Sequence, residues 1–397
     1  MSAASSFKKR SFAFFFGSGM SYDSYKVHGR GVGSVDNITR RLFEEDWQYG
    51  AERFFAPAPG ADPIFFEEAR RCQQFLRLVK EEIDPHLKFR DGHESHYEDL
   101  YAAVYHLWND ELEEVVSPLI ARSGKELHSR SEPIWSKMSP GGTGQAFRDL
   151  LRHSLALIQA VVSTELGRSV DPVGMSLISK MARRVDALDI FTLNHDGLVE
   201  KQLKLDGIAF TDGFEDTQAG YRIFSPKWGA APVRMLKLHG SLDWSYCLFA
   251  DKDGLRFEQT AIFDVPAEKC SYEGKPIEVR NDSQFLTGTT VKENSYGYDI
   301  IGDLFIKFRE LSSKHRTIVF CGYGWGDKGI NIRINQWLRD QRVNKAVILH
   351  RDDPRFVTDK RFWQTRWAKY EAAGKVKILP HWLPDCGEDE LFAELVF

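Results

Sequence analysis

The sequence lacks closely spaced cysteines. None of its five cysteines belongs to a Cys-x-x-Cys motif, and they are scattered along the chain. They are Cys72, Cys247, Cys270, Cys321 and Cys386. Disulfide frameworks and cysteine-based zinc sites both need cysteines at defined spacings, so the pattern argues against either. We therefore expect no disulfide-stabilised fold and no bound metal.

Long hydrophobic runs and a strong excess of one charge are also absent. The apolar run Phe12–Phe16 follows Lys8-Lys9-Arg10, as in a signal peptide, but it is too short and precedes Gly-Ser-Gly rather than a cleavage site. No stretch approaches the roughly 20 apolar residues of a membrane span. The net charge of −4 gives no electrostatic reason to expect nucleic-acid binding. The sequence predicts a cytoplasmic protein without a nucleic-acid or membrane partner.

The composition is that of a folded globular protein. The 397 residues are 42% hydrophobic and 28% charged, which suits one large domain or two ordinary ones and excludes a disordered chain. The aromatic content of 13% predicts a well-filled core or sizeable interfaces. The sequence contains no internal repeat and no low-complexity segment.

Short apolar segments predict strands, and helical stretches separate some of them. The predicted strands are Phe12–Phe16, Ala187–Leu193, Val233–Leu238, Arg316–Gly322, Lys345–His350 and Lys375–Leu379, and two of the helices are Leu198–Leu205 and Tyr298–Lys314. This alternation indicates an α/β fold with a Rossmann-like, doubly wound parallel sheet. In such sheets the ligand lies at the carboxyl ends of the strands. The charged, irregular region Phe249–Gly288 is expected to be an excursion or a small hairpin.

Residues 63–166 have a helical pattern between the first two predicted strands. Apolar and aromatic residues recur there at spacings of three and four, in stripes that begin at Phe65, Tyr97 and Leu150. We interpret the block as an inserted helical subdomain whose aromatic residues form its core; an aromatic ligand cage is the alternative. The predicted domains are 1–45 with 186–397 for the sheet and 46–185 for the helical insertion.

A polar, glycine-containing segment, Tyr22–Gly33, follows the first strand. It predicts either a mobile loop over the end of that strand or a plain surface connection. The next residues, Ser34–Phe43, have the pattern of a capped helix start.

The first strand stops at Gly17-Ser18-Gly19-Met20-Ser21. Glycine lets backbone amides approach a phosphate that a Cβ atom would push away. The motif therefore predicts a phosphate-binding loop at the edge of the sheet. A tight turn without a ligand is the alternative.

The second strand ends in polar residues at alternating positions, Thr192, Asn194 and Asp196. Alternate residues of a strand point to the same side, so the three side chains would share one face. Asparagine offers a donor and an acceptor, and an aspartate at the start of the next helix can cap that helix or hold a ribose or an amide. A helix cap and turn without a ligand is the alternative.

The third strand ends in His239-Gly240. Histidine has the ordinary pKa that suits proton transfer near neutrality, so His239 is a candidate general base. The alternative is a buried histidine that is hydrogen-bonded for structure.

The fourth strand ends in Gly322-Tyr323-Gly324, and Asp327 and Asn331 follow. Glycines here allow close approach of an adenosine or its ribose, and Asp327 could accept hydrogen bonds from ribose hydroxyls. A loop that Asp327 caps is the alternative.

Together these four segments resemble motifs of the sirtuin superfamily. The segment Gly17–Ser21 is similar to its Gly-Ala-Gly-x-Ser phosphate loop, Thr192-Leu193-Asn194-His195-Asp196 to its Thr-x-Asn-x-Asp motif, and His239-Gly240 to its catalytic His-Gly. The fourth segment, with Asp327 and Asn331, resembles the Gly-Tyr-x-x-x-Asp…Asn variant of bacterial sirtuin-like defence proteins, and Tyr97-Glu98-Asp99-Leu100 is similar to a segment of that same group.

The resemblance implies a Rossmann-like fold that binds NAD⁺ as a substrate. It assigns Asn194 to positioning the attacking water and a ribose hydroxyl, and His239 to general-base catalysis. It implies binding roles for the remaining motif residues: Gly17, Ser18, Gly19, Met20 and Ser21 at the pyrophosphate, Thr192 and Asp196 near the nicotinamide or its ribose, and Gly322, Tyr323, Gly324, Asp327 and Asn331 at the adenosine half.

Two departures from the family pattern refine this expectation. Protein-deacylating sirtuins carry a four-cysteine zinc ribbon, which the scattered cysteines cannot form, and Leu193 stands where their motif has glutamine. Sirtuin-like proteins without the ribbon typically hydrolyse NAD⁺ to ADP-ribose and nicotinamide, in bacteria often to stop phage infection. The resemblance thus implies an antiphage NAD⁺ hydrolase that forms a homo-oligomer and works with a partner such as a HerA-like hexameric ATPase. A non-catalytic NAD⁺ or ADP-ribose sensor is the alternative, followed by a deacylase or an ADP-ribosyltransferase.

Overall fold

The computed structural model describes residues 10–27, 35–44, 64–91, 94–109, 118–137, 143–167, 170–225, 228, 231–288, 299–340 and 343–395. The strands are β1 Ser11–Phe16, β2 Ala187–Thr192, β3 Phe210–Thr211, β4 Phe214–Asp216, β5 Tyr221–Phe224, β6 Val233–Lys237, β7 Ser245–Ala250, β8 Arg256–Phe263, β9 Ser271–Tyr272, β10 Lys275–Pro276, β11 Glu278–Asp282, β12 Thr317–Cys321, β13 Lys345–Leu349 and β14 Val376–Leu379.

The α-helices are α1 Tyr22–Val27, α2 Val35–Leu42, α3 Ile64–Asp91, α4 Tyr97–Asn109, α5 Pro118–Arg130, α6 Glu132–Trp135, α7 Thr143–Leu166, α8 Ser176–Arg184, α9 Leu198–Leu205, α10 Asp299–Ser312, α11 Lys328–Asp340, α12 Arg355–Thr358, α13 Arg361–Gln364, α14 Trp367–Ala372 and α15 Glu388–Ala393. Short 3₁₀ helices cover Ser18–Ser21, Ala267–Lys269 and Leu383–Asp385. Nowhere in the described ranges is a helix both long and apolar enough to cross a bilayer.

The chain divides into two compact units. The first consists of Met1–Arg30, Ser169–Leu286 and Glu293–Phe397, and the second of Gly31–Arg168 and Thr287–Lys292. These boundaries differ from those of the domains expected from the sequence. Helix α2 belongs to the second unit rather than to the sheet unit, and helix α8 belongs to the first.

A seven-stranded parallel sheet dominates the first unit. Its order is β14-β13-β12-β1-β2-β6-β3, and every neighbouring pair is parallel. The predicted doubly wound α/β fold is confirmed, and all six predicted strands lie in this sheet. Strand β3 was not predicted, because two residues are too few to carry a pattern. The chain adds β2 and β6 on one side of β1, then returns to add β12 on the other side, so the order reverses between β1 and β12.

The central strand β1 is buried on both faces. Each residue of Phe12–Phe16 has no exposed surface. The ring of Phe15 lies 5.4 Å from that of Phe320 in β12 and 6.0 Å from that of Phe308 in α10. Near-continuous apolar sequence is typical of a parallel strand with both faces covered, which is why β1 carried the clearest strand signal.

The first unit also contains a second, antiparallel sheet in the order β11-β7-β8-β5-β4, whose strands β4 and β5 precede β6 and whose other strands follow it. It corrects the expectation of an excursion or small hairpin at 249–288. Its core is small, and in β8 the exposed positions Arg256 and Glu258 are charged, so that they dilute the apolar signal. After β11 the chain runs beside the end of β6, where the Leu286 amide donates to the His239 carbonyl at 2.8 Å.

The second unit is helical in its described residues, as the three apolar stripes predicted. Helices α3, α4 and α7 coincide with the stripes, and the rings of Phe75 and Phe147 meet edge to face at 6.1 Å. The prediction of a loop at Tyr22–Gly33 is wrong over Tyr22–Val27, because these residues form helix α1. Residues 28–34 lie outside the described residues. The predicted helix start at Ser34–Phe43 is confirmed by α2.

Candidate active site

The loops after β1 and β12 pack backbone to backbone where the strand order reverses. The Gly17 amide donates to the Cys321 carbonyl at 3.0 Å, and the Gly19 amide donates to the Gly322 carbonyl at 3.1 Å. A Cβ atom on Gly17 would lie 2.6 Å from the Gly322 oxygen, and one on Gly322, whose φ is +66°, would lie 2.1 Å from the Met20 nitrogen. Both glycines are therefore required by the close approach of the two loops.

This packing occupies part of the predicted phosphate-binding loop. The Met20 amide also donates within the protein, to the Gly17 carbonyl at 3.0 Å, so the amides of Gly17, Gly19 and Met20 all bond to protein carbonyls. Ser18 is exposed, and Ser21 is buried at the end of the 3₁₀ helix that leads into α1. The role of this loop in binding phosphate stays a prediction.

A directional chain of hydrogen bonds joins the ends of β1 and β2. The Asn194 Nδ2 group donates to Ser21 Oγ at 2.9 Å, and the Ser21 hydroxyl donates to Asp196 Oδ2 at 2.8 Å. All three residues are buried. The structure thus brings together residues from two of the predicted motifs, separated by more than 170 positions of sequence.

The hydrogen-bond chain leaves the other end of the Asn194 amide unsatisfied. Asn194 is only 7% exposed, and its Oδ1 atom has no hydrogen-bond partner among the described residues. An unpaired buried acceptor costs about 1–3 kcal/mol. Because Nδ2 is held by Ser21, the free oxygen is fixed as an acceptor for a water or hydroxyl of a ligand.

The side chains of Thr192 and Asp196 also accept hydrogen bonds from the backbone at the end of β2. Thr192 Oγ1 accepts a hydrogen bond from the Asn194 amide at 3.0 Å, and Asp196 Oδ1 accepts one from the Leu198 amide at 3.2 Å. Asp196 therefore caps helix α9 with one oxygen and holds Ser21 with the other. Sequence reasoning missed Tyr25, because it lies in the segment expected to be a loop; burial and then the charge of Asp196 raise the pKa of this phenol, so it is neutral.

His239 lies directly after β6, beside the end of β2. The Leu238 amide donates to the Thr192 carbonyl at 2.9 Å, and the rings of His195 and His239 are 6.3 Å apart. The His239 side chain is 3% exposed, and its Nε2 atom lies 3.1 Å from Asp327 Oδ2. Asp327 also accepts a hydrogen bond from the Ile330 amide in the first turn of α11, which fixes its carboxylate.

This pairing was not expected, since the sequence assigned Asp327 to a ribose. The other residues predicted around it brace their own loop: Tyr323 donates to Asn331 Oδ1 at 3.0 Å, and Asn331 Nδ2 donates to the Trp325 carbonyl at 2.9 Å. Burial and then the charge of Asp327 raise the pKa of Tyr323, which keeps its phenol neutral. Binding of adenosine by Tyr323 and Asn331 stays a prediction.

A cavity of about 210 Å³ opens at the carboxyl ends of β12 and β13. Backbone from both glycine loops and aromatic side chains surround it: Gly19, Gly322, Gly324, Tyr323, Trp325, His350, Phe356 and Trp382 are among its lining residues. The His350 ring lies 4.9 Å from that of Trp382, and its buried Nδ1 atom has no hydrogen-bond partner in the described part of the chain. In the sequence, His350 was identified only as the end of a predicted strand, and no pattern indicated Trp382.

The described residues include no group of three or more histidine, cysteine, aspartate or glutamate side chains placed to hold a metal ion.

Two comparisons with known proteins found similarities. Residues 189–372, which include the ends of β2, β6 and β12, match the family model of the SIR2-like domain. A solved structure described as a Sir2 homolog–NAD complex aligns with 98% of this chain and 90% of its own chain, at 10% identity and a TM-score of 0.35. A likeness at that level assigns no ligand to this chain. No curated protein matches it.

Proposed function

We propose that this chain, whose residues 189–372 match the model of the SIR2-like domain, is an NAD⁺ glycohydrolase. It would cleave the bond between nicotinamide and ribose and release nicotinamide and ADP-ribose. The observation that carries the proposal is the buried, unsatisfied Oδ1 atom of Asn194 on the segment beside His239. Together they offer an acceptor for a water or ribose hydroxyl and a base to receive its proton.

The reaction needs orientation more than acid catalysis. The bond from the ribose anomeric carbon to the pyridinium nitrogen breaks, and its electron pair leaves with nicotinamide, which becomes neutral. Water adds to the resulting oxocarbenium-like carbon and loses one proton. Asn194 Oδ1 would orient this water or a neighbouring ribose hydroxyl, and His239 would take the proton. General-base catalysis typically contributes about 10²–10⁴ in rate.

Asp327 supports His239 in this proposal. A carboxylate oxygen 3.1 Å from Nε2 of the imidazole holds the ring in one orientation. Asp327 would thus stabilise the imidazolium that forms as water is deprotonated, in addition to any contact with ribose.

The rest of the dinucleotide would extend toward the point where the strand order reverses. Asp196 and Thr192 would lie near the nicotinamide or its ribose, and the Gly17–Ser21 loop near the pyrophosphate. The adenosine half would lie at the Gly322–Gly324 loop and the adjoining cavity, where aromatic rings suit a planar base.

A chromatographic time course of NAD⁺ with purified protein tests the proposal. We expect wild-type protein to release nicotinamide and ADP-ribose in equal amounts, and His239→Ala and Asn194→Ala to lose about 10²-fold or more of that rate. The control is His381→Ala, since His381 forms a similar pair with Glu390 at 3.0 Å on the surface, and its removal should leave turnover unchanged.

Full turnover in Asn194→Ala would contradict the proposed chemistry. Tight NAD⁺ binding without nicotinamide release would select the sensor instead. Transfer of labelled ADP-ribose to a protein, or removal of an acyl group, would select a transferase or deacylase.

An antiphage effector role follows as an extension of this proposal. Depletion of NAD⁺ would stop a phage-infected cell, and such an enzyme would be held inactive until needed, through a homo-oligomer or a HerA-like hexameric ATPase. Measurement of cellular NAD⁺ during infection, with wild-type and His239→Ala protein, would test this role. Equal NAD⁺ levels in both would contradict it.

A further inference from the structure

Lys237 is a buried cation that the proposed chemistry does not use. It lies in β6, two residues before His239, and is 2% exposed. Its Nζ atom donates to the Asp196 carbonyl at 2.5 Å and to Glu200 Oε1 in α9 at 2.8 Å. A buried ammonium is costly unless charge and hydrogen bonds compensate for its lost hydration, so these contacts hold the side chain in one geometry.

The environment keeps Lys237 charged. Burial alone would lower its pKa, but the negative charge of Glu200, with contributions from Asp243 and Asp196, raises the pKa above its usual value. The ammonium therefore remains a strong donor to the Asp196 carbonyl.

Asp196 is held by two hydrogen bonds, one to its side chain and one to its backbone carbonyl. Ser21 holds its side chain, and Lys237 holds its backbone carbonyl. Since Ser21 also receives the Asn194 amide group, a shift of the Asp196 backbone would pass to Asn194 through Ser21. Lys237, the last residue of β6, thus fixes the turn, and His239 follows it two residues later.

We infer that Lys237 is a positioning residue for the proposed NAD⁺ cleavage. It holds the turn at Asn194–Asp196 in a fixed position relative to His239. The inference rests on the proposed function. Lys237 makes no contact with the reacting atoms; it acts through Asp196 and Ser21 on the orientation of Asn194.

The experiment compares three variants. Lys237→Met removes the donor at similar size, and Lys237→Met/Glu200→Gln also removes the carboxylate that the first change leaves buried and unpaired. Lys345→Met is the matched control, because Lys345 likewise donates from a strand of the same sheet to a carboxylate and a backbone carbonyl, those of Glu394, at 2.6 and 3.3 Å. Thermal midpoint, kcat, KM and hydrogen exchange of the amides at 194–198 are measured for each.

A positioning role predicts a fall in kcat of about 10²-fold in both Lys237 variants, with a much smaller change in KM. It also predicts faster exchange at 194–198 in both variants, and neither effect in Lys345→Met. The double variant should regain thermal stability without regaining kcat. If thermal stability and kcat both recovered in the double variant, Lys237 would act only on stability, and the inference would be overturned.

Turnover within twofold of wild type in the double variant would likewise overturn it. The hydrogen-exchange measurement distinguishes failure of the inference about Lys237 from failure of the proposed function. If wild-type protein cleaves no NAD⁺, the glycohydrolase proposal fails, and unchanged exchange at 194–198 in the Lys237 variants would independently show that the lysine does not hold the turn.

Discussion

At the scale of single residues, Ser21 decides which end of the Asn194 amide faces a ligand. Its oxygen accepts from Asn194 Nδ2 and its hydroxyl donates to Asp196, so the chain of hydrogen bonds runs in one direction. An ionised aspartate can only accept, which fixes the direction of the serine hydroxyl and, through it, of the asparagine amide. The acceptor atom of Asn194 is thereby preorganised before any substrate arrives.

Ser21→Ala tests this arrangement. Loss of the hydroxyl removes the partner of Asn194 Nδ2 and that of Asp196 Oδ2, so the amide no longer has one preferred orientation. We expect kcat for NAD⁺ cleavage to fall about tenfold or more, since a lost hydrogen bond to a buried group costs about 1–3 kcal/mol. Steady-state kinetics at saturating NAD⁺ measure the effect.

The matched control is Ser24→Ala, three residues further along the same segment. Ser24 is equally buried, and its Oγ atom accepts a hydrogen bond from the Val173 amide at 2.9 Å, remote from the Asn194 amide. This change should lower the thermal midpoint and leave kcat unaltered. An equal loss of kcat in both variants would show that Ser21 has no specific role in orientation.

At the scale of elements, the strands that carry the site are held together by a buried charged triad. Asp189 in β2 has no exposed surface, and both its oxygens accept from the Arg234 guanidinium of β6 at 2.6 and 2.9 Å. His315, which precedes β12, places Nε2 at 2.5 Å from the same carboxylate. Burial raises the pKa of Asp189, but hydrogen bonds from His315 and Arg234 more than offset this, so its pKa lies below the ordinary value.

Asp189 therefore makes stability depend on pH. A carboxyl group with a lowered pKa in the folded state stabilises the fold above its unfolded pKa of about 3.9, and this contribution is lost as the pH falls through the lower folded value. Asp189→Asn should lower the free energy of unfolding at pH 7 by about 1–3 kcal/mol, because it removes the carboxylate that pairs with buried His315 and with the partly exposed Arg234. The difference from wild type should shrink below about pH 4.

Urea unfolding at pH 7, 5 and 3.5 measures this dependence. Asp171→Asn is the control, since Asp171 pairs with Lys201 on the surface, where its side chain is 75% exposed. An exposed pair contributes about 0–1 kcal/mol, so the control should differ little from wild type at any pH. A constant deficit of Asp189→Asn from pH 7 to 3.5 would contradict the assignment.

The elements also show which patterns the sequence encodes clearly. A central parallel strand such as β1 is recognisable because all its side chains are apolar. The antiparallel sheet of β4, β5, β7, β8 and β11 was missed, because its strands are short or carry charged residues between their apolar ones. Strand β8 alternates in this way over Arg256–Gln259.

At the scale of the whole molecule, the sequence predicted the fold and the strand-end motifs, but the contacts between motifs depend on strand order. The hydrogen bonds among Asn194, Ser21 and Asp196 join motifs that had each been predicted. The pairing of His239 with Asp327 spans 88 positions and depends on which loops meet at the sheet edge. The sequence did not indicate a role for Lys237, because a lysine in a strand looks the same in sequence whether its amine is exposed or buried against a carbonyl.

The central claim is that these strand ends hold one NAD⁺ molecule with its scissile bond at Asn194 and His239. A crystal structure of the His239→Ala protein with NAD⁺ bound tests it most directly. We predict a water or ribose hydroxyl within hydrogen-bond distance of Asn194 Oδ1, and the anomeric carbon of the nicotinamide ribose beside the position of the missing imidazole. NAD⁺ bound elsewhere, or bound here with its nicotinamide ribose turned away from Asn194, would contradict the account.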